Sequence, residues 1–214
     1  MSAHAEDSFI SEPVTRSAGI FWYLIWNVFH REFPGAHIKV TNATSIRCVE
    51  LLETGQVDLI VVNSPNAYLG NVPNVKKIKD FQDVFIADKA FEELKGKKLS
   101  FKELLNYPIL MLDRKSTTSE YLHNLFLQNQ LDLVPEIELS SNDLLIDLAR
   151  IGLGIAFIPD FCLSQTSDSD SLFIVETKEV LPERELVIAY NEKVPISKAA
   201  QEFFILFLIH LSDA

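Results

Sequence analysis

"IGLGIAFIPDFC" runs from Ile151 to Cys162. A stretch of this kind could be a glycine loop around a phosphate, a catalytic turn, or the seam between a helix and a buried strand. The residues before it, "DLLIDLAR" (143–150), read as a helix, and Gly152 closes that helix as its C-cap. Gly154 then begins a strand whose apolar core is "IAFI", and Pro159 stops it. A dinucleotide-binding glycine motif has the opposite order: it follows a strand and opens a helix. A catalytic elbow needs a nucleophile on a strand–turn–helix corner, and none stands here. The stretch is therefore the seam between a helix and a buried strand.

The same seam occurs earlier in the chain. "TSIRCVELLETG" is a helix capped by Thr44 and Ser45 and closed by Gly55, and "VDLIVV" (57–62) is the strand after it. Thr44 and Ser141, Gly55 and Gly152, and Val57 and Gly154 are all 97 positions apart. The preceding capped turns, at Thr15 and Ser116, are 101 apart, so one short insertion separates two copies. Each copy reads strand, Ser/Thr-capped helix, strand, Ser/Thr-capped helix, glycine, strand. With right-handed crossovers, each is expected to form a small doubly wound α/β sheet of Rossmann type. "QDVFIAD" and "ELVIAY" are expected to carry the chain out to the second unit and back. That gives one unit from residues 1–85 plus 187–214 and another from 86–186. The last helix, "SKAAQEFFILFLIHL", is capped by Ser197 and joins the first unit.

Composition excludes several classes of function. The 214 residues carry a formal charge of -11, which repels phosphate backbones, and no basic stripe or zinc-finger spacing compensates. At 48% hydrophobic residues the chain can bury a sizeable core. The runs "GIFWYLIW" and "FFILFLIHL" fall short of the ~18–20 apolar residues a membrane span needs. "MSAHAEDSF" has neither a basic start nor an apolar segment of signal type, so a cytoplasmic protein is expected. Cys48 and Cys162 show no CxxC and read as reduced, buried thiols. The five histidines have no metal or triad spacing, and Asp58 reads as a cap or a hydrogen-bonder across units. No metal, cofactor or catalytic constellation is expected, and so no enzyme.

The remaining chemistry lies at helix starts. In an open α/β sheet, ligands bind at the carboxyl edge of the strands, where helix N-termini present unpaired N–H groups and a partial positive charge. Two facing units would line a cleft with Thr15, Ser17, Thr44, Ser45, Ser116, Thr117, Ser140 and Ser141. The plainer alternative for each is a helix cap worth about 1 kcal/mol. Among nearby cations, Arg16 and Arg114 lie in strand-to-helix turns, where a guanidinium could hold a carboxylate bidentately.

Four stretches carry a family likeness: "FHREFPGAHIKV", "LLETGQVDLIVV", "DLARIGLGIAFIPDF" and "LPERELVIAYNEKVPISKAAQEFF". In order and spacing they resemble the effector-binding domain of LysR-type transcriptional regulators, from about Ser8 to Phe207. The resemblance implies two Rossmann-like subdomains joined by crossover strands, like the type II periplasmic binding proteins, and a small-molecule effector between them. On family grounds the effector contacts would be Thr15, Arg16, Ser17, Thr44, Ser45 and the turns of the second unit; the effector's identity does not carry over, and it is the helix starts that point to a small anion. It also implies a homodimer, with Trp22 and Trp26 of one protomer against Tyr121 and Leu125 of the other. The family's winged helix-turn-helix finds no match in these residues, so DNA contact is expected only through a part of the protein outside them. The family's peroxide-sensing branch uses two cysteines in the second unit, where only Cys162 lies. The rival reading is a transporter's solute-binding protein, which would share fold and cleft but needs a signal peptide.

Overall fold

The computed structural model describes residues 7–11, 27–35, 38–163, 172–192 and 196–211. Contacts divide the chain into two units, one running from Phe81 to Arg184, the other built from segments that end at Asp80 and resume at Glu185.

Unit 1 holds strands β1 (Asp7–Ser11), β2 (Ile38–Asn42), β3 (Leu59–Ser64) and β4 (Asn74–Phe81), and β11 (Arg184–Tyr190) near the chain's end. Its helices are α1 (residues 27–32), α2 (Ser45–Glu53) and α6 (Lys198–Leu211). The sheet order is β2-β1-β3-β11-β4, with β1 parallel to β2 and β3, and β11 antiparallel to β3. Leu59–Val62 are all buried, as a strand covered on both faces requires. Pro34 and Gly35 turn the chain after α1, and Phe29 packs edge-on against Phe203 of α6 at 5.2 Å. Asp58 Oδ1 accepts the backbone N–H of Ser197 at 3.3 Å, and Ser197 Oγ accepts that of Ala200 at 3.0 Å. Asp58 thus supports the start of α6 inside its own unit, as one of the roles expected for it.

Unit 2 holds β5 (Asp83–Ala87), β6 (Lys98–Leu99), α3 (Phe101–Leu104), β7 (Ile109–Leu112), α4 (Thr117–Gln128), β8 (Ile137–Leu139), α5 (Asn142–Arg150), β9 (Ile155–Pro159) and β10 (Phe173–Thr177). The sheet order is β6-β10-β5-β9-β7-β8. Strands β8, β7 and β9 are parallel, in the same arrangement as β2, β1 and β3, and β5 runs antiparallel to β9 as β11 does to β3. The repeat is therefore topological as well as sequential. The sheets are mixed rather than wholly parallel, because strands outside the repeated βαβαβ pattern add antiparallel neighbours.

Period-two alternation explains the unbroken apolar runs. Phe85, Ile109, Met111, Ile155 and Phe157 face one core layer, covered by Leu122 and Phe126 of α4. Val84, Ile86, Leu110, Ala156 and Ile158 face the other, covered by Leu145, Ile146 and Ala149 of α5. Each fully buried aliphatic or aromatic side chain stabilises by about 1.5–3 kcal/mol, so a strand hidden on both faces has no use for polar residues.

The seam at 151–162 has the local geometry its glycines imply. Gly152 takes φ +77°, and the N–H groups of Gly152 and Leu153 bond to the carbonyls of Ala149 and Leu148. Gly55 (φ +66°) and Gln56 close α2 in the same way on Leu52 and Leu51. Both are Schellman closures, which satisfy carbonyls the helix end would strand. Gly154 meets a different constraint, close approach: a Cβ there would lie 2.5 Å from the Pro108 carbonyl oxygen and 2.9 Å from a Leu110 methyl. Gly154→Ala is expected to cost about 1–3 kcal/mol by overpacking. Gly70→Ala, where a Cβ meets nothing within 4 Å, should stay within about 0.5 kcal/mol of wild type in urea titrations.

Candidate functional site

In unit 2, α4 follows β7 and α5 follows β8, and these strands are parallel neighbours in register at Leu112 and Leu139. Asp113 N–H donates to the Leu139 carbonyl at 2.9 Å just beyond the strand ends. Two helices therefore begin side by side at the carboxyl edge of one sheet. Ser116 Oγ caps α4 by accepting the Ser119 N–H at 3.0 Å, and Ser141 Oγ caps α5 by accepting the Leu144 N–H at 3.3 Å. Ser119 Oγ and Asn142 Oδ1, both in these first turns and buried, have no hydrogen-bond partner among the described residues. The edge offers N–H groups, hydroxyls and an amide, with the positive ends of two helices behind them.

A buried cation lies behind α4. Arg184 is 1% exposed and donates through Nη1 to Asp83 Oδ2 at 2.8 Å. The same nitrogen donates to Thr118 Oγ1 at 3.1 Å, and Nη2 donates to Thr117 Oγ1 at 3.1 Å. Its guanidinium carbon sits 4.9 Å from the Tyr121 ring centroid and 5.3 Å from that of Phe81. Tyr121 Oη donates to the Pro182 carbonyl at 2.8 Å. Burial pushes the Asp83 carboxyl above its ordinary range against the pull of Arg184. Burial likewise pushes the Tyr121 hydroxyl up to about 12, with the charge of Asp83 adding to the effect. The first turn of α4 is thus clamped to both ends of unit 2, the start of β5 and the residue before the chain leaves.

Unit 1 has a smaller counterpart. Thr44 Oγ1 caps α2 on the Arg47 N–H at 3.4 Å. Ser45 is fully buried, and its Oγ accepts the Asn63 N–H at 3.3 Å, tying the start of α2 to the end of β3.

The expected residues divide into three groups. Thr15, Arg16, Ser17, Trp22 and Trp26 lie outside the described residues. Ser116, Thr117 and Ser141 come together at the unit 2 edge, with Ser140 exposed beside them at the end of β8, while Thr44 and Ser45 stand at the start of α2. Of the other three, only Leu125 is buried where an interface residue would be exposed. Arg114 is a surface cation, 75% exposed, 3.8 Å from Glu138. Leu125 packs in the core of its own unit, and Tyr121 is half-buried over Arg184. Sequence reasoning missed Arg184, Asp83, Asn63, Asn66 and Asn142. The only signal was an ionisable residue at the first position of two strands with apolar cores, "DVFIA" and "RELVIAY".

Elsewhere in unit 2 a cavity of about 340 Å³ lies between β5 and β10. Its lysines are already matched: Lys98 lies 3.7 Å from Glu176 and Lys178 lies 2.8 Å from Glu103. It offers an anion no unpaired charge, so the helix starts are the better candidate.

The family model described as the LysR substrate binding domain matches residues 21–211. The chain belongs to that family. The HTH-type transcriptional activator CmpR of Synechocystis is 25% identical over 182 residues, which cover 85% of this chain and 59% of that protein. A probable nitrogen assimilation transcriptional activator of Synechococcus elongatus is 24% identical over 180 residues, 78% of this chain and 58% of the relative. The LysR-family chain thus spans about three fifths of the length of these curated relatives. The Synechocystis CcmR regulatory domain, solved in complex with 2-PG, superposes with a TM-score of 0.80 at 20% identity, covering 95% of this chain and 96% of that one. The effector binding domain of QuiR, solved with shikimate, gives 0.79 at 12% identity, with 99% of both chains covered. The fold is that of LysR regulatory domains, of type II periplasmic-binding-protein kind.

Arg184→Met is expected to destabilise by about 3–5 kcal/mol, because it leaves Asp83 buried without a partner. The double variant Asp83→Leu/Arg184→Met should recover much of that loss in denaturant titrations. If the double variant is no more stable than the single one, charge compensation is not what holds the cluster together.

Proposed function

We propose that this chain is the effector-sensing part of a LysR-type transcriptional regulator and that its effector is a small anion. The observation that carries this reading is the pair of capped helix starts, α4 and α5, side by side at the carboxyl edge of β7 and β8. Orphan N–H groups and two helix dipoles favour an anion there, beside the exposed Arg114 and Lys115 of the turn before α4. The buried charges behind α4 compensate each other, so Arg184 orders the turn rather than attracting ligand over distance. Family membership and the names of the relatives support the regulatory role. No described group of His, Cys, Asp and Glu could hold a metal ion, and no described helix is long and apolar enough to cross a membrane.

In this reading the anion engages the first turns of α4 and α5 at the unit 2 edge. Binding favours whichever conformation of the chain it fits better, by no more than its difference in affinity for the two. A homodimer would pass that bias to DNA-contacting parts of the protein beyond these 214 residues. On α4 the exposed apolar residue available to a second copy is Leu127, 62% exposed, rather than Leu125.

A thermal-shift screen with sulfate, phosphate and small carboxylates tests the reading. Ligand at about 100 times its dissociation constant should stabilise by roughly 2.7 kcal/mol, several degrees for a chain of this size. Ser116→Ala and Ser141→Ala should each lose about 1 kcal/mol of capping energy, and should also shrink the ligand-induced shift. If every anion leaves the melting temperature unchanged, the reading falls.

A further inference from the structure

We propose that the cavity between β5 and β10 binds a small organic cation, an ammonium group on an apolar body, which donates to Asp83 Oδ1 and has its charge balanced by Glu179. The cavity lies wholly within unit 2, and none of its lining residues belongs to α4 or α5, so this binding does not require an anion at the helix starts. The strands themselves make the opening. β10 pairs with β5 from Phe173 to Val175, opposite Ala87 to Phe85, and then with β6 at Glu176 and Thr177. Past Phe85 and Val175 the ladder between β5 and β10 stops, and about 340 Å³ opens between Gln82–Phe85 and the segment up to Leu181. That is the small end of the range for ligand pockets. The far wall is fastened in three places. Thr177 Oγ1 donates to the Glu179 carbonyl at 2.7 Å, Glu179 Oε2 accepts the Phe101 N–H at 2.9 Å, and Gln82 Nε2 donates to the Leu181 carbonyl at 2.6 Å.

The lining decides the sign of the ligand. Arg184 answers Asp83, Lys98 answers Glu176, and Lys178 answers Glu103. Glu179 takes the neutral N–H of Phe101 and pairs with no cation among the described residues, so the uncompensated charge of the lining is negative. Asp83 adds a directional demand. It is 0% exposed, its Oδ2 takes Arg184, and its Oδ1 has no hydrogen-bond partner among the described residues. A carboxylate oxygen only accepts, so a donor has to come to it, and neither a carboxylate nor a phosphate carries one. Leaving such an acceptor buried and unpaired is costly, and an ammonium N–H is a stronger donor to it than a neutral group. The buried residues Val84, Phe85, Val175 and Leu181 supply apolar walls for the rest of the molecule, while Ile174 and Val180 are exposed at the mouth.

Benzylamine, benzyl alcohol and benzoate share one body and differ in charge, so titrating each into the wild-type chain and following its nitrogen–proton correlation spectrum tests the site. Benzylamine should give saturable shifts at Val84, Phe85 and the segment 176–181, benzyl alcohol should bind there at least about tenfold more weakly, and benzoate should leave those residues unmoved. Glu179→Gln keeps an acceptor for the Phe101 N–H and removes the charge. It should weaken benzylamine roughly tenfold while the melting temperature stays at the wild-type value. Asp83→Leu/Arg184→Met removes the orphaned acceptor together with its partner and should abolish the shifts. Benzylamine that leaves the cavity residues unmoved in the wild type means that the space holds only water and overturns the proposal. Equal affinity for the amine and the alcohol overturns it as well, and so does benzylamine affinity that Glu179→Gln leaves unchanged.

Discussion

The buried pair of Arg184 and Asp83 is the interaction on which unit 2 depends. It joins the first residue of β5 to the last residue of the unit, at a sequence separation of 101. A guanidinium without solvent is tolerable only when paired and hydrogen-bonded, and here a carboxylate, two threonine hydroxyls and two aromatic faces surround it. Such a cluster is poor evidence of net stability, since an apolar packing of the same shape could do as well. Its planar fork fixes direction instead: the first turn of α4 can take only the orientation that the two hydroxyls allow.

That constraint bears on recognition. In a chain with a formal charge of -11, long-range attraction of an anion is weak, and selectivity has to come from groups at contact distance. The carboxyl edge of unit 2 supplies them as helix N–H groups, hydroxyls and an amide, with Arg114 and Lys115 exposed in the turn before α4. Neutral donors and acceptors discriminate by geometry and by the penalty of being left unpaired, whereas a free lysine or arginine would accept almost any anion. The sheet supports this arrangement by starting its helices next to each other on parallel strands.

Much of the fold was legible in the sequence because it is set by local physics. Ser/Thr caps, glycine closures and apolar runs obey rules that act within a few residues, and their 97-residue spacing exposed the duplication before any contact was known. Gly152 and Gly55 close their helices identically, and Ser141 and Thr44 cap them identically. The parts that were not legible depend on pairs distant in sequence. Nothing near Arg184 says that it is buried on Asp83. Asn63 and Asn66 lie just beyond the apolar run "VDLIVV", where no local pattern marks them. Mixed strand directions escaped notice too, because an apolar run of five residues reads the same in either direction.

Backbone amide resonances give the most direct view of an anion at these helix starts. In a nitrogen–proton correlation titration with phosphate, saturable shifts should concentrate on the first-turn N–H groups of α4 and α5, from Thr117 to Ser119 and from Asn142 to Leu144. A weak, unsaturable response spread over the surface lysines, with those turns unmoved, would contradict an anion site at the edge of unit 2.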